Sequence, residues 1–320
     1  MKSKFTTKEF VEAIEENSIN LFITAASFEE RCFVIPNHIK GISLNHIIFY
    51  NENEAEEIIE NAHKIKSILG EPSDMIPLNS DSPIQNYIKI ESLLKKYEVL
   101  RPNILIDSTT FTHETLLVLL KSLSLRKESL GAIQVAYVGA SQYSSNSESD
   151  EDRWLSKGVS EIRTIIGYPG FTDPTAKNHL VILVGFESER TRRIIQEYEY
   201  EYVTLGFGDV KESIKSNHHK INFERHKKLM EEYPKAEQFV FCLTDPTKTK
   251  EQISQYLSQE KFKNMNTVIA PLNNKISTIG VGLAALEDEN IQLAYAKPNI
   301  YNIKGYSVPS EDVYFSKLIL

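Results

Sequence analysis

The chain writes one passage twice. "IQVAYVGASQYS" (Ile133 to Ser144) and "IQLAYAKPNIYN" (Ile291 to Asn302) share an apolar strand pattern and a Tyr-x5-Tyr spacing. Tyr295 follows Tyr137 by 158 positions, and Tyr301 follows Tyr143 by the same 158. Upstream, "FITAASFEERC" (Phe22 to Cys32) faces "VILVGFESERT" (Val181 to Thr191). There Phe186 follows Phe28 and Glu187 follows Glu29 by 158, while Arg190 follows Arg31 by 159. Two separated patches on one offset imply two copies of a whole domain. Solenoids repeat at much shorter periods, roughly 20–50 residues.

Each copy alternates continuous apolar runs with helical patterns. "INLFITAA", "HIIFYN" and "NILIDS" read as buried strands of the first copy. "EAEEIIENAHKIKSIL" and "ETLLVLLKSL" read as helices between them. "HLVILVGF", "YVTLGFG", "QFVFCLT" and "NTVIAPL" continue the alternation in the second. Apolar strands separated by helices predict parallel sheets covered on both faces. The expected class is α/β: two tandem Rossmann-like, three-layer domains related by internal duplication. The boundaries expected are 1–152 for the first domain, 153–178 for a linker or accessory segment, and 179–320 for the second. "SSNSESDED" (Ser144 to Asp152) is too acidic and too simple to pack, and reads as an exposed loop or linker. "GYSVPSEDVYFSKLIL" at the end of copy two has strand character and suggests a small hairpin. An accessory strand pair is expected in each half.

Composition narrows the class further. With 41% hydrophobic and 25% charged residues, the chain is that of an ordinary globular protein. No apolar run approaches the ~18 residues needed to span a bilayer. Cys32 and Cys242 both sit in apolar segments, which suggests a reduced, cytoplasmic protein without a disulfide framework. A net charge of −8 argues against broad binding to duplex nucleic acid.

Ligands of open parallel sheets bind beyond the carboxyl ends of the strands, where strand order reverses. That rule selects the turns after the first and fourth strands of each copy. In copy one these hold Ser27, Phe28, Glu29, Glu30 and Arg31, then Asp107, Ser108, Thr109, Thr110 and Thr112. In copy two they hold Gly185, Phe186, Glu187 and Arg190, then Asn274, Lys275, Ser277 and Thr278. Tyr137, Tyr143, Tyr295 and Tyr301 follow the last strands and flank the same edge. Hydroxyls and amides at a helix start cradle anions, arginine grips phosphate, and tyrosine rings stack on bases. The set suits a nucleotide-like ligand.

Each feature also has a structural reading. Ser27 with Glu30 fits a capping box, and "DSTTFTHET" offers ordinary N-caps. The arginines have carboxylate neighbours, the tyrosines suit a core or a lid, and "TDPTKTKE" fits an N-cap followed by Pro at the first helical position. No G-x-G-x-x-G, P-loop or G-x-S-x-G is present. "HHKINFERH" places His218, His219 and His226 close together without a zinc spacing, so no metal and no fixed cofactor are expected. Glu29 and Asp107 are the candidate catalytic carboxylates, although their spacing dictates no reaction.

"IDSTTFTHETLLVLL" and "PLNNKISTIGVGLAAL" resemble degenerate versions of the Thr-Gly-Gly-Thr-Lys-like turn of CRISPR-associated Rossmann-fold (CARF) sensors. "GFESER" is similar to the Gly-Phe-Glu-x-x-Arg turn of some archaeal CARF-like proteins. Neither copy has the Gly-Gly pair, and the first lacks the Lys. The resemblance implies paired Rossmann units binding cyclic oligonucleotides through Thr109, Thr110, Thr112, Lys275, Ser277 and Thr278. It places the chain in prokaryotic antiviral defence, reporting to a separate effector protein. The expected function is therefore binding of a nucleotide or nucleotide-derived signal. An enzyme on the same scaffold, hydrolysing a nucleotide, a nucleic acid or an N-glycosidic bond, is the alternative. A scaffold subunit for an effector is the third reading.

Overall fold

A computed structural model describes residues 4–5, 7–42, 44–143, 154–197, 200–212 and 226–320. The acidic run Ser144 to Asp152, His218 and His219 lie outside these. The first half runs β1 (Lys4–Phe5), α1 (Thr7–Glu16), β2 (Leu21–Ala25), α2 (Val34–His38), β3 (Asn45–Asn51), α3 (Glu56–Leu69) and β4 (Ser73–Leu78). It continues α4 (Pro83–Glu98), β5 (Ile104–Asp107), α5 (His113–Ser124) and β6 (Ile133–Tyr143). The second runs β7 (Ser156–Pro169), β8 (Asn178–Leu183), α6 (Ser188–Glu197), β9 (Tyr202–Gly208), a helical stretch α7 at 226–232 and β10 (Glu237–Phe241). Then come α8 (Pro246–Leu257), β11 (Asn266–Pro271), α9 (Lys275–Glu287), β12 (Ile291–Tyr301) and β13 (Ser307–Leu318).

The two sheets share one five-strand core topology. The first is ordered β4-β3-β2-β5-β6-β13-β1, the second β10-β9-β8-β11-β12-β7. Counted within each copy, the five strands β2–β6 and β8–β12 take the order 3-2-1-4-5 and pair in parallel. The protein is thus a duplicated α/β fold with helices flanking each sheet. All five residues of β2 and all four of β5 are buried, which explains why they are apolar but for Thr24 and Asp107. Among the described residues no helix is long and apolar enough to cross a membrane.

The chain forms two compact units. One comprises the residues up to Gln142 together with Ser307–Leu320; the other is Tyr143–Tyr306. β7 follows β6 in sequence but pairs antiparallel with β12, setting Ser156 opposite Tyr301 and Arg163 opposite Tyr295. β13 follows β12 but lies between β6 and β1 in the first sheet, antiparallel to β1. The C-terminal segment is therefore one long strand rather than a small hairpin. The place beside β12 is already filled by β7.

Helix packing explains one glycine. α9 is buried from Ile276 to Ala285, and a Cβ on Gly280 would stand 2.6 Å from the Thr249 side chain and 2.9 Å from the Pro246 carbonyl oxygen. Only a missing side chain lets α8 and α9 approach this closely.

Candidate functional site

In both sheets the strand order reverses between the first and fourth strands of the copy: β2 beside β5, β8 beside β11. The predicted loops lie just beyond these strands. What each side chain does there differs between the units.

In the first unit Asp107 closes β5 with no exposed surface. Its carboxylate accepts from the Thr109 amide (3.1 Å), the Thr109 hydroxyl (2.5 Å) and the Thr24 hydroxyl (3.2 Å). Burial pushes the carboxyl up to about 6, against the pull of those hydrogen bonds. Thr109 Oγ1 also accepts from the Val138 amide at 3.0 Å. Ser108 donates to the Ala136 carbonyl (2.9 Å) and Thr110 to the Ala25 carbonyl (2.6 Å). Thr112 is the N-cap of α5, accepting from the Thr115 amide at 3.1 Å. The loop thus ties β5 to β2, β6 and α5 through its own hydroxyls.

The loop after β2 is built on a buried ion pair. Arg31 donates to Glu29 Oε2 through Nε (2.9 Å) and Nη2 (2.6 Å), and through Nη1 to the Val138 carbonyl at 3.1 Å. Its guanidinium lies 6.0 Å from the Tyr137 ring centre. Glu29 also accepts from the Ser307 hydroxyl at 2.6 Å. Ser27 accepts from the Glu29 amide at 3.3 Å, and the helical turn begins at Glu30 without a side-chain cap. The expected Ser27–Glu30 capping box is replaced by a tighter turn, in which Ser27 accepts from the amide two residues on. Phe28 is half-buried.

The second unit repeats part of this. Arg190 donates to the Ala296 carbonyl at 2.5 Å and lies 5.9 Å from the Tyr295 ring. Ala296 follows Val138 by the repeat offset, 296 − 138 = 158, so both arginines grip the same point of the fifth strand. Glu187, like Glu29, receives the serine that opens an antiparallel strand: its carboxylate accepts from the Leu155 amide (2.5 Å), the Ser156 amide and the Ser156 hydroxyl. Gly185 has no room for a side chain, since a Cβ there would stand 1.9 Å from the Leu272 carbonyl oxygen. Tyr143 packs on Phe186 at 5.9 Å, and Tyr301 on Tyr306 at 6.4 Å. Tyr137 and Tyr295 are core residues, 3% and 5% exposed.

Asn274 caps α9, accepting from the Ser277 amide (2.8 Å) and donating to the Leu243 carbonyl (2.8 Å). Ser277 and Thr278 both donate back to the Asn274 carbonyl. Asn273 donates to the Val184 carbonyl at 2.6 Å. Lys275 is the first helical residue and half-buried. Asp245 caps α8 ahead of Pro246, as the sequence predicts.

Register exposes where the copies part. Ile23 pairs with Ile106, and Val181 pairs with Ile269. One residue on, Thr24 and Asp107 correspond to Ile182 and Ala270, so the second unit is apolar where the first buries a carboxylate. Sequence reasoning overlooked Thr24, Ser156 and Ser307. The two serines are 307 − 156 = 151 positions apart, so a search at offset 158 passes over them.

Among the described residues no group of three or more His, Cys, Asp or Glu is placed to hold a metal. No protein-family model matches the chain, and no curated protein matches it.

Proposed function

We propose that the protein is a sensor binding a nucleotide or nucleotide-derived anion at the carboxyl edge of its parallel sheets and reporting it to an effector protein. The observation that carries this reading is Lys275. It is a half-buried cation in the first turn of α9, beside a strand-order reversal. The positive end of a helix disfavours a cation there by about 0.3–1 kcal/mol. An anion arriving at that point would meet a lysine and a helix N-terminus together. Phe186 and Tyr143, packed together on the same unit, supply aromatic surface for a base. The resemblance to CARF sensors extends the reading to cyclic oligonucleotides and to prokaryotic antiviral defence.

Binding is favoured over turnover because Glu29 is engaged by Arg31 and Ser307, and Asp107 has no surface to present. A thermal-melt panel of cyclic oligonucleotides, mononucleotides and NAD at millimolar concentration tests the reading. A true ligand at a hundredfold excess over its Kd stabilises by about 2.7 kcal/mol, and Lys275→Glu is expected to erase the shift. No shift with any probe, or an equal shift in the variant, contradicts it.

A further inference from the structure

We infer that Glu29 and Glu187 act as latches, each coupling the loop at its sheet's reversal point to the first residue of an antiparallel strand of the same unit. Glu29 lies in the loop after β2, and its partner Ser307 is the first residue of β13, 278 positions away. Glu187 lies in the loop after β8, and its partner Ser156 is the first residue of β7. The contact is made twice by different means. Glu29 is 9% exposed and shares its charge between a guanidinium and one hydroxyl. Glu187 gathers two backbone amides and one hydroxyl. The serines do not correspond under the repeat offset, so the copies agree on the contact while differing in how they form it.

The physical consequence is cooperative opening. Little water reaches Glu29, and a buried carboxylate that loses a donor keeps the desolvation cost without compensation. Moving the loop therefore strains the strand start, and freeing the strand start loosens the loop. That a ligand at the loop would displace the strand rests on the proposed sensor reading; the coupling itself does not.

Amide hydrogen exchange on the full chain, without ligand, tests the coupling. Ser307→Ala is expected to accelerate exchange about tenfold in both 307–318 and 26–33, the size expected for one lost hydrogen bond to a charged group, while β3 and β4 stay unchanged. Ser307→Thr keeps the hydroxyl and is expected to restore protection. Glu187→Gln is expected to loosen 156–169 and 185–190 together. Ser141→Ala removes a bond from Ser141 to the Val308 carbonyl without touching Glu29, and is expected to loosen the strand alone. Acceleration confined to β13 in Ser307→Ala, uniform acceleration across the unit, or equal loop loosening in Ser141→Ala would overturn the latch. None of these results bears on ligand binding, since no ligand is present.

Discussion

Two buried titratable residues give the protein opposed responses to acid. Asp107 is raised from 3.8 to about 6 by burial, so the native chain holds this proton more tightly than the unfolded one. The stability it contributes is present below about pH 4 and is lost as pH rises toward 6. His179, stacked 4.0 Å from Phe262 and bonded to Thr204 at 2.8 Å, is lowered from 6.5 to about 4 by burial. Its contribution is present above 6.5 and is lost as pH falls toward 4. Urea unfolding across that window checks both signs: relative to wild type, Asp107→Asn should gain as pH rises, and His179→Gln should gain as pH falls. The Glu29–Arg31 pair is a separate test. Arg31→Met leaves a buried carboxylate unpaired and should cost about 3–5 kcal/mol, with Glu29→Gln in the same chain recovering much of it. An unfolding double-mutant cycle measures this. At this scale the sequence is legible where partners are local. Thr112 and Asp245 announce themselves as caps, whereas the cap role of Asn274 shows only in the structure. Thr24 is 83 residues from Asp107, and no local pattern joins them.

Elements were legible in proportion to how one-sided their burial is. β2, β5 and β8 are apolar runs because both faces are covered, and α5 and α9 follow from caps leading into apolar stretches. β7 and β13 are harder: they mix exposed and buried positions along one strand, and nothing in such a pattern names the sheet that receives it. Packing between elements is likewise invisible until Gly280 is seen against Thr249. Ala is the better helix former by about 1 kcal/mol, yet Gly280→Ala should lower stability, because its Cβ meets a backbone carbonyl and a branched side chain. Overpacking of this kind typically costs about 1–3 kcal/mol, and chemical denaturation reads the difference. An increase in stability would mean that α8 shifts freely.

At the scale of the whole molecule, duplication was legible because the Phe-Glu turn and the tyrosines kept one spacing, with the Arg after the turn one residue longer. The tyrosines, expected to follow the last strands, lie within them, Tyr137 and Tyr143 in β6 and Tyr295 and Tyr301 in β12. The structure supplies their shared reason. Arg31 and Arg190 hold the same carbonyl position over the same tyrosine, so one fold constraint was inherited twice. The buried polar pair Thr24–Asp107 was not kept in the second unit, where Ile182 and Ala270 stand. The reversal points of the two sheets have therefore diverged in chemistry while keeping their geometry, which fits a molecule whose units share a role unequally. The central claim is that ligands meet this protein at the carboxyl edges of its parallel strands. Hydrogen exchange with and without the nucleotide that most raises the melting temperature tests it directly. The account predicts new protection in 184–190 and 272–278, or in 26–33 and 108–113. Protection confined to the opposite strand ends, around His46 and His179, would contradict it.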